Sequence, residues 1–437
     1  MTDMTSTSGS NPDVIDMATE TESRSQRQDR PLAGLRVLDL TVALAGPYCG
    51  LILAGLGADV IKIESPDGGD IARGNPPFYG PHGFHLDAMG DGDISVAMLA
   101  RARNKKSVTL DLKSERGREL FMRLVKISDI VVENMSEGTA VRLGVGYETV
   151  KAANPRVVYA SIAGLGDYPT FPGLKAMDII VQALSGVMDV TGEADGPPTR
   201  FGLPIADLVA PLFASSGVLA ALIRRGVTGV GQHVKVNMLD SMASLFAIEH
   251  FDVFKRAGFP MRSGNHMNRL CPFGVYATKD GYVAVAAPAD KSVRLIAEAM
   301  GESELMEDPR FATRGPRAAN ADAFNARMEN WTRRLTTEEV TTELFRRRGV
   351  SCVPVRTVDE VLSDPLLRAS GAVEQLVHPK IGPIDAVGPG LPIKFSESFS
   401  GFDMPAQELG EGNPYVYEEL LGLKEAEIAE LKGKRII

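Results

Sequence analysis

Cysteine is scarce in this chain: three in 437 residues, at Cys49, Cys271 and Cys352. They are odd in number, far apart and form no CxxC, which excludes a disulfide framework; reduced thiols in a cytoplasmic setting are expected. The six histidines, at 82, 85, 233, 250, 266 and 378, do not cluster with cysteines at metal-ligand spacing, so no metal site is expected. No G-x-S-x-G stretch occurs, which excludes the serine-hydrolase elbow. No run of 18 apolar residues lacks a charge, so no membrane span is expected. The first residues lack the charged-then-apolar pattern of a signal peptide. Positive charge is also short: 47 Lys and Arg against 56 Asp and Glu, net −9. That argues against a nucleic-acid binder, which shows a basic stripe, but leaves room for a local basic set facing an anionic ligand.

With 44% hydrophobic residues, the chain has enough apolar material for a sizeable core, and its length suggests two or three domains. Residues 1–30 are polar and carry no apolar periodicity, so a disordered tail is expected, with the fold starting at Pro31. From there "LRVLDLT" (35–41), "AGPYCGLILAGLGA" (45–58) and "DVIKIES" (59–65) read as strand, buried helix and strand. Such a βαβ unit predicts a parallel sheet. Strands at 106–112, 129–135 and 156–164, with a helix at 114–128, continue the alternation. The fold class is therefore α/β, with a doubly wound, Rossmann-like large domain. A long buried helix is expected over 205–225, and a strand running into a helix over 232–242. After about residue 262 the pattern changes. "PFGVYATKDGYVAVAA" (272–287) reads as an antiparallel hairpin turning at Lys279-Asp280-Gly281. Segments 354–367 and 381–396 read as loop-rich, and a short helix is expected near 415–431.

Two glycine-containing turns are candidates for a ligand. "GLGADV" (55–60) ends a helix rather than opening one and is an incomplete G-x-G-x-x-G, so it reads as a tight turn. "LTVALAGPY" (40–48) leaves the first strand and enters the first helix, where ligands of parallel sheets bind. Its Ala43, Ala45 and Gly46 are small enough for close backbone approach. The basic run "RARNKKS" (101–107) is either a solvated surface or a phosphate contact, and Lys113, Arg142 and Lys175 could join it. The remaining feature is Asp207, alone in "RFGLPIADLVAPLF" (200–213), with no Lys, His or second acid within six residues. It suits an N-cap. It equally suits a nucleophile fixed at a helix start and kept ionised by helix N–H groups. Asp178 and Asp240 are competing acids.

Several blocks, in order, resemble the class III, or CaiB/BaiF, CoA-transferases. These are "PLAGLRVLDLTVALAGPYCGLILAGLGADVIKIESPDGGD" (31–70), "RNKKSVTLDLKSERGRELFMRLVKISDIVVENM" (103–135), "GPPTRFGLPIADLVAPLFASSGVLAAL" (196–222), "GVYATKDGYVAVA" (274–286) and "ELLGLKEAEIAELKGKRII" (419–437). The resemblance implies a large CoA-binding Rossmann-like domain over 31–240, a linker at 241–264 and a smaller α+β domain over 265–350. It also implies a segment, 351–437, that returns to the large domain, and an interlocked homodimer. It implies a catalytic Asp207, with CoA contacted by Ala43, Ala45, Leu110, Lys113, Asn134, Met135, Arg142, Lys175 and Met238. The partners are then an acyl-CoA donor, with succinyl-CoA a first candidate, and a carboxylic acid acceptor. CoA is a substrate, and no tightly bound cofactor is expected. Met177-Asp178 stands where the racemase branch carries His-Asp, which favours transfer over two-base proton exchange. An acyl-CoA racemase of the same fold and a non-catalytic acyl-CoA-binding protein are the alternatives. Ser65 replaces an Arg of some relatives, Leu44 a Gln of the formyl-CoA enzyme, and the latter's glycine-rich flap is not evident at 258–271.

Overall fold

The computed structural model describes residues 29–87, 89–166, 170–171, 173–267 and 269–437. Most of the expected tail, residues 1–28, lies outside the described residues. Arg30 is held, with its guanidinium donating to Gly401 O at 2.8 Å.

Six short β-branched-rich segments form one parallel sheet: β1 (Arg36–Asp39), β2 (Asp59–Glu64), β3 (Lys105–Thr109), β4 (Ile130–Glu133), β5 (Val158–Ala163) and β6 (His233–Asn237). The spatial order is 3-2-1-4-5-6, and every neighbouring pair runs parallel. This is the doubly wound order whose crevice for ligands opens between β1 and β4, outside the carboxyl ends of the strands. Helix α1 (Ala45–Gly55) leaves β1 and is buried along nearly its whole length, which is why its sequence is apolar all round. Helix α2 (Glu115–Lys126) is amphipathic instead: Ser114 caps Gly117 N, and Leu120, Phe121, Leu124 and Val125 face the core.

Two further helices matter for the site: α3 (Asp178–Leu184) and α4 (Ile205–Thr228). By length and apolar composition α4 could cross a bilayer, which a search for strictly uncharged runs does not register. Its Ala206, Ala210, Ala214, Val218 and Ala221 form a buried stripe of small residues, and it packs on α1 and on β5. Close packing of that stripe accounts for the apolar character.

The chain divides into two compact units. One comprises the residues up to Asp178, then Pro204–Ser241 and Asp364–Ile437; the other comprises Ile179–Leu203 and Met242–Ser363. The division differs from the expected one at residues 179–203 and 351–363, which belong to the second unit. There Gly264 N donates to Gly192 O at 3.0 Å, and Arg262 contacts Glu193 O and Asp189. The second unit contains the expected hairpin, Phe273–Ala277 with Tyr282–Ala286, and Cys352–Pro354 adds a third antiparallel strand. Its core includes Val283, Ile296, Phe311 and Phe324.

The returning segment completes the first unit's core, where Val416, Tyr417, Ile428 and Ile436 join Leu120, Phe121 and Tyr159. The loop-rich reading of 354–367 and 381–396 is corrected. Short helices occupy Val358–Leu362 and Pro365–Ala369, and Gly382–Pro389 is a strand paired with Val373–His378. A strand in a two-stranded sheet has one free edge, so the prolines that argue against a central strand are tolerated.

Beneath the carboxyl ends of β1–β3 lies a buried ionic network. Lys105 Nζ is 2.9 Å from Asp39 Oδ2 and 2.7 Å from Pro47 O. Lys62 Nζ is 2.8 Å from Asp70 Oδ2 and donates to Thr41 O at 2.8 Å. All four charged side chains are essentially inaccessible. Gly50 makes room for it: a Cβ there would lie 2.5 Å from Asp39 Oδ2. Burial pushes the Asp39 carboxyl up, but Lys105 and Lys62 outweigh burial and hold it below its ordinary 3.8. Asp39→Ala leaves two buried cations facing one carboxylate fewer, and is expected to cost about 3–5 kcal/mol, measured by denaturant unfolding. Because the Asp39 pKa is depressed, its contribution is present above pH 3.8 and is lost on acidification below it.

Candidate active site

The loop from β1 to α1 and the residue after β4 meet at the point where strand order reverses. Asn134 accepts from Val42 N and donates to Val42 O, both at 2.9 Å. Its amide is thus used to hold the loop. Gly46, at the start of α1, permits this approach, since a Cβ there would lie 2.3 Å from Thr41 Cβ and 2.9 Å from Asn134 Cγ. Ala43 has φ +68°, a left-handed conformation uncommon for a residue with a Cβ. Its N–H donates to Asp70 Oδ1 at 2.9 Å, and its carbonyl accepts from the Arg101 guanidinium at 2.5 Å.

Asp207 occupies the first turn of α4, after Pro204 at the cap position. The N-cap reading is corrected, because the capping is done by Asp178. Its Oδ1 accepts from Ala206 N at 2.9 Å and from Asp207 N at 3.4 Å. Asp207's own carboxylate accepts no hydrogen bond from the described residues. The expectation that helix amides keep it readily ionised is corrected too. Burial, then the like charge of Asp178, push the Asp207 carboxyl up to about 6, while Arg101 pulls in the opposite direction. A half-buried carboxylate without donors is poorly solvated and correspondingly reactive.

The other expected contacts follow the carboxyl ends of successive strands. Leu110 and Lys113 follow β3; Ala43 and Ala45 follow β1; Asn134, Met135 and Arg142 follow β4; Lys175 follows β5; Met238 follows β6. Leu110, Asn134 and Met238 come directly after a strand's carboxyl end, whereas Ala43, Ala45, Lys113, Arg142 and Lys175 lie further along the segments that follow. Lys113, Arg142 and Lys175 are exposed cations, and Arg142 also donates to Thr139 Oγ1 at 2.6 Å. Leu110 and Met238 are buried, so backbone atoms are what they can offer a ligand. Met135 N donates to Glu133 Oε2 at 2.8 Å.

The phosphate-contact reading of "RARNKKS" is corrected. Lys105 pairs with Asp39, Lys106 with Asp59 at 2.5 Å, and Arg103 with Glu374 at 2.7 Å. Arg101 binds the Ala43 carbonyl. Four apparent surface cations are thus engaged within the fold, two of them buried, by partners far along the chain. Asp70 and Lys62 are the participants that sequence reasoning did not single out. The only local signal was the density of charge in an apolar neighbourhood.

The half-buried Asp207 carboxylate thus lies in the first turn of α4, and the exposed cations Lys113, Arg142 and Lys175 lie in segments that follow other strands of the same sheet. Residues 32–413 match the model of CoA-transferase family III. The chain is 37% identical over 374 residues to the succinyl-CoA:mesaconate CoA-transferase of Haloarcula hispanica, covering 84% of this chain and 90% of that one. It is 34% identical over 414 residues to the succinyl-CoA–D-citramalate CoA-transferase of Chloroflexus aurantiacus, covering 94% and 100%. A crystal structure of a CaiB/BaiF family protein from Brucella suis superposes with a TM-score of 0.77 at 34% identity, covering 90% and 100%. The chain belongs to CoA-transferase family III, the CaiB/BaiF family, and is a CoA-transferase.

Because the Asp207 pKa is raised, the folded state binds this proton more tightly than the unfolded chain does. The resulting stabilisation is fully present below 3.8, is lost between 3.8 and about 6, and leaves a constant penalty above. Asp207→Asn removes the titration. It is expected to melt with wild type below pH 3.8 and a few degrees above it beyond pH 6, read by thermal melts across pH. A capping aspartate would show no such gain.

Proposed function

We propose that Asp207 is the nucleophile and that transfer runs through covalent aspartyl intermediates. One Oδ of Asp207 attacks the donor thioester carbonyl. The C–S bond breaks, and an aspartyl–acyl anhydride and CoA thiolate result. The thiolate attacks the aspartyl carbonyl of the anhydride, which frees the donor acid as a carboxylate and leaves an aspartyl–CoA thioester. The acceptor carboxylate attacks that thioester and expels the thiolate, forming a second anhydride. Thiolate attack on its acceptor carbonyl gives the new acyl-CoA and restores Asp207. The covalent route divides one difficult exchange into easier ones. A carboxylate suits it because each anhydride lies between acids of similar reactivity. The observation that carries this reading is the half-buried Asp207 carboxylate, free of donors among the described residues. Its proton is held only to about pH 6, so it is ionised at neutral pH.

The donor we propose is succinyl-CoA and the acceptor a short dicarboxylate, as named for the relatives from Haloarcula and Chloroflexus. The exposed Lys113, Arg142 and Lys175 suit the phosphates of CoA. The working form we propose is an interlocked homodimer. Exposed apolar residues on α4, including Phe213, Ile223 and Val227, support it. The three buried free cysteines are in keeping with a cytoplasmic location.

Mixing the enzyme with succinyl-CoA and no acceptor is expected to add the mass of CoA less one water to the protein at Asp207, read by intact and peptide mass spectrometry. Asp207→Ala is expected to lose the adduct and at least about a thousandfold in transfer, while retaining CoA binding. Retained turnover in that variant refutes the nucleophile. Lys113→Ala is expected to weaken CoA binding several-fold with little change in kcat, measured by calorimetry and steady-state kinetics; an unchanged CoA affinity removes Lys113 from the phosphate set.

A further inference from the structure

Two charged side chains grip the peptide units on either side of the strained Ala43. Asp70 accepts from Ala43 N at 2.9 Å, and its other oxygen is anchored 2.8 Å from the buried Lys62 Nζ. Lys62 also fixes Thr41 O, two residues earlier. On the other side Arg101 donates to the Ala43 carbonyl, and its Nε donates to Ala97 O at 3.1 Å. A residue with a Cβ persists at φ +68° only where its surroundings over-determine it. Here the determinants are an anion on one peptide group and a cation on the other. The left-handed residue turns the chain from β1 into α1 and so aims the first turn of α1 at the carboxyl edge of the sheet.

Arg101 is half-buried, and its guanidinium is used by the Ala43 carbonyl.

We propose that Arg101 is a positioning residue for the turn between β1 and α1: it holds Ala43 in its left-handed conformation through the carbonyl and so shapes the backbone offered to CoA. It touches neither CoA nor the reacting atoms in this scheme. The consequence for binding rests on that turn facing CoA, as the proposed function has it, and CoA binding by the unsubstituted enzyme separates failure of that reading from failure of this one.

The test is a double-mutant cycle on CoA affinity, run in the full chain by calorimetry and, for independence from turnover, repeated with Asp207→Ala. Arg101→Gln is expected to weaken CoA binding about tenfold. With Ala43→Gly, where positive φ carries no steric cost, the same substitution is expected to weaken it less than about threefold. A merely structural role would give the same loss in both backgrounds. Arg101→Lys keeps the charge but loses the planar fork. It is expected to show the same dependence on position 43, and it serves as the test should the glutamine variant not fold. Equal losses with Ala and Gly at position 43 overturn the proposal.

Discussion

The pairing of Asp39 with Lys105 and of Lys62 with Asp70, sealed under the ends of β1, β2 and β3, is the constraint on which the site depends. Ions taken out of water must be matched nearly one for one. That requirement fixes more than charge. Lys62 also donates to Thr41 O, and Asp70 also accepts from Ala43 N and Ala72 N. The requirement to neutralise the interior is thereby converted into a shape for the loop that faces solvent. Gly50, which a Cβ would push into Asp39, belongs to the same device although it touches no ligand.

The two acids of the site divide their labour by geometry. Asp178 faces the amides of Ala206 and Asp207 and is thereby used as a cap. Asp207, in the first turn of the same helix, accepts no hydrogen bond from the described residues. Identical side chains so acquire opposite roles, one satisfied and one poised. The aspartate that stood out in the sequence is the poised one.

Much of this was legible before any coordinates. The parallel sheet followed from β-branched runs separated by helix-length segments, and the carboxyl edge followed from the parallel sheet. Asp207 was conspicuous because a lone charge in an apolar run demands a reason. What could not be read was anything depending on pairing at a distance. The cations of "RARNKKS" looked available because Asp39, Asp59 and Glu374 lie 47 to 271 residues away. Nothing along the chain ties Ala43 to Asp70 and Arg101. The strand Gly382–Pro389 was hidden because glycine and proline carry the same local signal in an edge strand as in a loop.

The first unit is written in pieces, and its core is closed by the last of them. All six sheet strands have been made once residue 237 is reached, yet Val416, Tyr417, Ile428 and Ile436 still belong to the same core. At translation rates of about 5–20 residues per second, that face of the sheet waits roughly 10–35 s for its cover. During that interval the core that holds Leu120, Phe121 and Leu124 lacks those four side chains. The order of synthesis thus leaves the sheet's own core unfinished long after the sheet itself can form.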